Sequence, residues 1–78
     1  MSQLVRTINE HFRNALKIDI DHMAEQLALS DKQYEIFYRY YVRKQNIDLI
    51  ADELHMSPES VSKELKYIRR KIARFLGY

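Results

Sequence analysis

The segment IDLIADELHMSPESVSKELKYIRRKI, residues 47–72, has the pattern of a short helix, a tight turn and a longer basic helix. Leu49, Ile50, Ala51 and Leu54 form the apolar face of the first helix, expected from Ile47 or Asp48 to His55. Met56-Ser57-Pro58-Glu59 then opens the second. Ser57 is the N-cap, its hydroxyl accepting from a backbone N–H that has no intrahelical partner. Pro58 takes the first helical position, where a missing N–H costs nothing, and Glu59 suits the positive end of the helix dipole. Val61, Leu65, Ile68, Ile72 and Phe75 recur at spacings of four, three, four and three residues, which makes one buried stripe. The helix is expected to reach about Leu76, with Gly77 ending it.

Two helices crossing steeply over a turn this short make a helix-turn-helix. Such a pair needs a small residue where the helices cross, and Ala51 supplies it. It needs apolar residues closing the angle from both sides, and Ile50, Leu54 and Val61 do so. It also needs a turn residue that tolerates positive φ. Glycine is usual there; here the position falls to His55, a costlier occupant. The face opposite the stripe carries Glu59, Lys63, Lys66 and Arg70, flanked by Ser62, Tyr67 and Arg74. Cations at one-turn spacing on an exposed helix face can meet the base edges and phosphates of a DNA major groove. The N-terminal part of such a helix goes deepest. Glu59, Ser62, Lys63 and Lys66 are therefore assigned to base edges, and Ser57, Ser60, Tyr67 and Arg70 to phosphates. The competing reading of each residue alone is simple solvent exposure.

Working outward, the charge distribution agrees. The net charge of +2 divides into +4 for residues 57–78 (six Lys and Arg against Glu59 and Glu64) and −2 for residues 1–56. A basic end on a mildly acidic body suits a polyanion, although most charge runs are only solvated faces. At 78 residues the chain is expected to be a single domain with a small core. It has no cysteine, so neither a disulfide nor a thiolate metal site is available. One Gly and one Pro disfavour a β-rich fold, and no apolar run has the length of a membrane span. MSQLVRTINEHF lacks a signal pattern, which leads to the expectation of a cytoplasmic protein.

Upstream, Leu4, Val5, Ile8, Phe12, Ala15 and Leu16 mark an amphipathic helix from about Ser2, a candidate N-cap, to Leu16. Asp19 is placed as the cap of a second helix that ends near Ala28, with Ile20, Met23, Ala24 and Leu27 inward. Ser30 and Gln33 fit a capping box for a third. Its run YEIFYRYYV could form a base-stacking platform, but at helical spacing Phe37, Tyr40 and Tyr41 fit a core better. Tyr34, Phe37 and Tyr41 are placed on one stripe, with Tyr38 at its boundary. Arg43 to Asn46 closes that helix, with Asn46 as a left-handed cap. MAEQLALSDKQY (23–34) echoes IADELHMSPESV (50–61), which is taken as shared helix-stop-start grammar rather than a second reader.

Leu29-Ser30, Tyr34, Ile36-Phe37, Tyr40-Tyr41, Ile50-Ala51, Leu54, Met56-Ser57-Pro58, Val61, Leu65, Ile68 and Lys71-Ile72 together resemble the C-terminal DNA-binding domain of bacterial sigma factors, which reads the −35 promoter element. They are also similar to the LuxR-type response-regulator domain. The unbroken last helix favours the sigma version. The resemblance spans about residues 24–76. It implies an all-α helix-turn-helix domain of about five helices, sigma region-4-like with an extra N-terminal helix. It also implies major-groove binding by the last helix, base contacts at Glu59, Ser62 and Lys63, and contact with RNA polymerase. The turn glycine and every other sigma region are missing, so a stand-alone regulator is expected rather than a complete sigma factor.

An enzyme is not expected. His11, His22 and His55 lack metal-ligand spacing, no phosphate-binding glycine loop is present, and no cofactor is implied. The leading expectation is sequence-specific binding of double-stranded DNA in transcription regulation. One alternative is a protein-interaction module for RNA polymerase or a regulator. Another is a phage or plasmid DNA-packaging or maintenance adaptor. Residues 1–17 either complete the core or form a homodimer, the usual device for reading two half-sites.

Overall fold

The computed structural model describes residues 3–14 and 17–77. They form five helices: α1 (Gln3–Asn14), α2 (Lys17–Leu27), α3 (Asp31–Phe37), α4 (Ile47–Glu53) and α5 (Pro58–Phe75). The all-α expectation holds. The proposed cap Ser2 and the apolar Ala15 and Leu16 lie outside the described residues. Among the described residues, no helix is long and apolar enough to cross a membrane.

The longest helix, α5, is the post on which the others pack; α1, α2, α3 and α4 all contact it. Its stripe of Val61, Leu65, Ile68 and Ile72 is fully buried. Around it sit Ile8 and Phe12 of α1, Ile20, Met23, Ala24 and Leu27 of α2, Ile36 and Phe37 of α3, and Ile50 and Ala51 of α4. The first helix therefore shares the common core. Phe12 stacks on Tyr41 at 4.5 Å and meets Phe37 edge-on at 5.7 Å, so an aromatic cluster joins α1 to the end of α3.

Local signals place most helix ends. Ser30 and Gln33 form the full capping box: Ser30 Oγ accepts from the Gln33 N–H, and Gln33 Oε1 accepts from the Ser30 N–H. Ser57 caps α5 with Pro58 at its start. Gly77 follows the Leu76 C-cap at φ +88, in the left-handed region that glycine enters without cost.

Other expectations need correction. Asp19 lies inside the first turn of α2 and does not cap it; its charge still favours that end of the helix. Asn46 is not a left-handed cap. It is extended, with φ −80, and its carboxamide oxygen accepts from the Leu49 N–H at 2.8 Å, capping α4. The left-handed residue is Lys44, at φ +61. The helical path does not stop after α3 but widens into a π-turn over Tyr38–Val42, with the Arg43 N–H donating to the Tyr38 carbonyl at 3.1 Å. That turn rotates the chain so that Tyr41 is buried while Tyr38 and Tyr40 are half-buried.

Tyr34 leaves the expected stripe and is 41% exposed, stacked on Tyr38. Leu49 and Phe75, both placed inward from spacing, are 42% and 45% exposed. Ile50 and Ala51 already fill the contact of α4 with the core. At the end of α5, Ala73 and Leu76 take the inward positions instead of Phe75.

The echo between residues 23–34 and 50–61 has a structural counterpart. Ala28 and His55, at corresponding places, have φ +51 and +56. In each case the turn N–H donates to the carbonyl three residues back at 3.3 Å, Ala28 to Glu25 and His55 to Asp52. The likeness stops at the turn, because Ile36 is buried where its counterpart Lys63 is exposed.

Candidate functional site

The site is the outer face of α5 together with the turn that aims it. Leu54 ends α4, His55 takes positive φ, and the Met56 N–H donates to the Ala51 carbonyl at 2.8 Å. With the His55 N–H on Asp52, this is the double bond of a Schellman closure. The chain thus reverses within four residues, 54–57, between α4 and α5. Met56 and Leu54 pack against the core beneath the turn, and Ala51, 2% exposed, lies in it without a bulky side chain. The sequence placed a strained residue at His55, and the backbone agrees.

Ser57, Glu59, Ser60, Ser62, Lys63, Lys66, Tyr67 and Arg70 are all exposed. The helix brings Glu59, Lys63, Lys66 and Arg70 onto one side, since steps of three and four residues return to the same face. Arg74 extends that side by one turn and is also exposed. At about 1.5 Å per residue, the 18-residue helix is about 27 Å long.

The serines are more engaged than spacing suggests. Ser57 Oγ accepts from the Ser60 N–H at 3.1 Å and donates to Ser60 Oγ at 2.9 Å. The Ser60 hydroxyl proton remains available to an acceptor outside. Tyr67 is 42% exposed, and the Arg70 guanidinium lies 5.8 Å from its ring centre, which orients the cation along the helix surface.

Two cations of the basic run turn the other way. Lys71 Nζ donates to the Ala28 carbonyl and to Gln33 Oε1, both at 3.4 Å, and so ties α5 to the junction of α2 and α3. Arg69 is half-buried beside the Tyr41 phenol. Burial pushes that phenol up to about 12, and the nearby Arg69 charge only partly offsets the effect. The run Arg69-Arg70-Lys71 therefore has one outward charge.

The body is braced by a network that spacing only half reveals. Arg39 Nε donates to Glu35 Oε2 at 3.1 Å, one turn back, and Arg39 Nη1 bonds Glu53 of α4. The hydrogen bond to Glu35 does most to raise the Arg39 pKa. The pair Glu35–Arg39 is legible from its four-residue spacing. Glu53 is not, because its approach depends on how α4 folds back.

Among the described residues, no group of three or more His, Asp or Glu side chains is arranged to hold a metal ion. No family model, curated protein or solved structure matches the chain, so the likeness to sigma-type domains rests on the residues quoted above.

Proposed function

We propose that the protein binds double-stranded DNA sequence-specifically as a helix-turn-helix domain of the sigma region-4 kind and regulates transcription. In this reading α4 is the supporting helix and α5 the recognition helix. The observation that carries it is the sorting of cations on α5. Lys63, Lys66, Arg70 and Arg74 are exposed, whereas Arg69 and Lys71 fold back onto the body. A helix face with Glu59, Ser62, Lys63 and Lys66 near its N-terminus offers an acceptor for cytosine and donors for guanine. Farther along, Tyr67 and Arg70 suit phosphates, as does the Ser60 hydroxyl at the start of the helix.

Contact with RNA polymerase and homodimer formation belong to the same proposal as its expected partners, and no cofactor is needed. Selection of bound duplexes from a random pool tests it. Enrichment of a G·C-containing motif is expected, and a palindrome would add the dimer. No enrichment would remove the DNA reading and leave the protein-interaction alternative, which the stacking of exposed Tyr34 on half-buried Tyr38 favours.

A further inference from the structure

A second surface lies on the outer side of α2 and α3. Two adjoining clefts, of about 310 and 540 Å³, share Asp21 and Tyr34; the first continues to Tyr38 and Arg43, the second to Glu25 and Asp31. The charged side chains lining them are Asp21, Glu25, Asp31 and Glu35 against Arg39 and Arg43, a net charge of −2. Asp21, Glu25 and Asp31 form no salt bridge with a described side chain. The groove thus combines aromatic faces with a net negative charge, opposite in sign to the α5 surface.

At one end the chain itself shows what such a groove takes. The Arg43 guanidinium lies 5.5 Å from the Tyr38 ring centre, and Arg39 bonds Glu35. Tyr34 stacks on Tyr38 at 6.1 Å with planes 28° apart, so its ring continues the same wall. Asp21 lines both clefts together with Tyr34, Glu25 lines the second, and among the described residues no arginine is stacked on Tyr34.

We propose that this groove docks an arginine-bearing segment of a partner protein, with a guanidinium lying on Tyr34 and bonded to Asp21. Charge complementarity selects a basic occupant. Arginine suits it better than lysine, because a planar guanidinium stacks on a ring and meets a carboxylate with two parallel N–H groups. The same carboxylates repel phosphate, so this face does not compete with α5, and the inference does not depend on the DNA reading.

The test uses the full chain and two labelled synthetic peptides, three arginines or three lysines separated by glycines. The arginine peptide is expected to bind about 3-fold more tightly than the lysine peptide, in line with the preference of aromatic faces for guanidinium. Tyr34→Ala and Asp21→Asn are each expected to weaken it about 5-fold, the loss of one cation–π or charge contact of the usual size. Asp52→Asn, which removes the same charge from the outside of α4, is expected to leave binding unchanged. Tyr34→Leu keeps the bulk of the side chain and guards against a folding defect in the alanine variant. Amide NMR shifts are expected at Asp21, Tyr34 and Tyr38. No binding, equal effects of Asp52→Asn and Asp21→Asn, or no effect of either Tyr34 variant would overturn the proposal. So would self-association of the wild type that Tyr34→Leu abolishes, because the occupant would then be a second copy.

Discussion

Arg70 and Lys71 are neighbours in sequence, carry the same charge and sit on the same helix, yet they face opposite ways. Arg70 is exposed over the Tyr67 ring, and Lys71 reaches back to Ala28 and Gln33. Replacing each by alanine removes one positive charge from the same place in the chain. If α5 reads DNA, only the outward charge releases a counterion on binding. Each phosphate contact contributes about −0.9 to the slope of log K against log salt. Arg70→Ala is therefore expected to flatten that slope by about 0.9, whereas Lys71→Ala leaves it unchanged. A fourfold rise in salt, from about 50 to 200 mM, weakens binding about 3.5-fold per phosphate contact at that slope, so the affinity gap between Arg70→Ala and wild type narrows by that factor across the range. The assay is fluorescence anisotropy on the selected duplex at several salt concentrations. Thermal melts of the free proteins run in parallel, since Lys71→Ala is expected to lower the melting temperature where Arg70→Ala does not. Equal slopes for the two variants would refute the assignment of α5 as the phosphate-facing helix, and a changed slope for Lys71→Ala alone would invert it.

Further expectations concern the turn, the core and pH. His55→Gly removes a left-handed strain of about 1–2 kcal/mol and adds about 0.5–1 kcal/mol of chain entropy, so a net gain of about 0.5–1 kcal/mol is expected in urea unfolding; a loss would mean the histidine side chain makes a stabilising contact. Leu65→Ala, at a fully buried position of the stripe, is expected to cost about 2–5 kcal/mol, enough to unfold a domain this small, as read by circular dichroism. Tyr41 retains its proton in the folded state up to about pH 12, while the unfolded phenol loses it near 10. Its contribution is therefore intact below pH 10 and lost as pH rises towards 12, about 2–3 kcal/mol in all. Urea midpoints across that range should fall more steeply for wild type than for Tyr41→Phe, and parallel curves would count against burial of the phenol.

Much of the architecture is local and was legible in the chain. Ser30 with Gln33, Ser57 with Pro58, and Gly77 each carry their own helix boundary, because caps are satisfied by atoms within a few residues. The period of Val61, Leu65, Ile68 and Ile72 was enough to put one side of α5 in the core, and its opposite side outside. The positive φ at His55 followed from the shortness of the turn.

What the period cannot resolve is where a helix stops needing its neighbours. Phe75 and Leu49 obey the spacing and are still exposed, because other residues fill the core at those positions. The π-turn at Tyr38–Val42 moved the left-handed residue to Lys44 and freed Asn46 to cap α4. The acidic aromatic groove exists only because α2 lies beside α3, and the braces Arg39–Glu53 and Lys71–Ala28 join residues far apart in the chain. By itself the sequence determined the helical segments, the caps at Ser30 and Ser57, and the basic helix with its two faces, since these follow from hydrogen bonds and periodicity within one segment. What Arg69 and Lys71 hold on the body, and which tyrosines form a surface rather than a core, was decided by the tertiary structure, because both depend on what the other helices bring within reach.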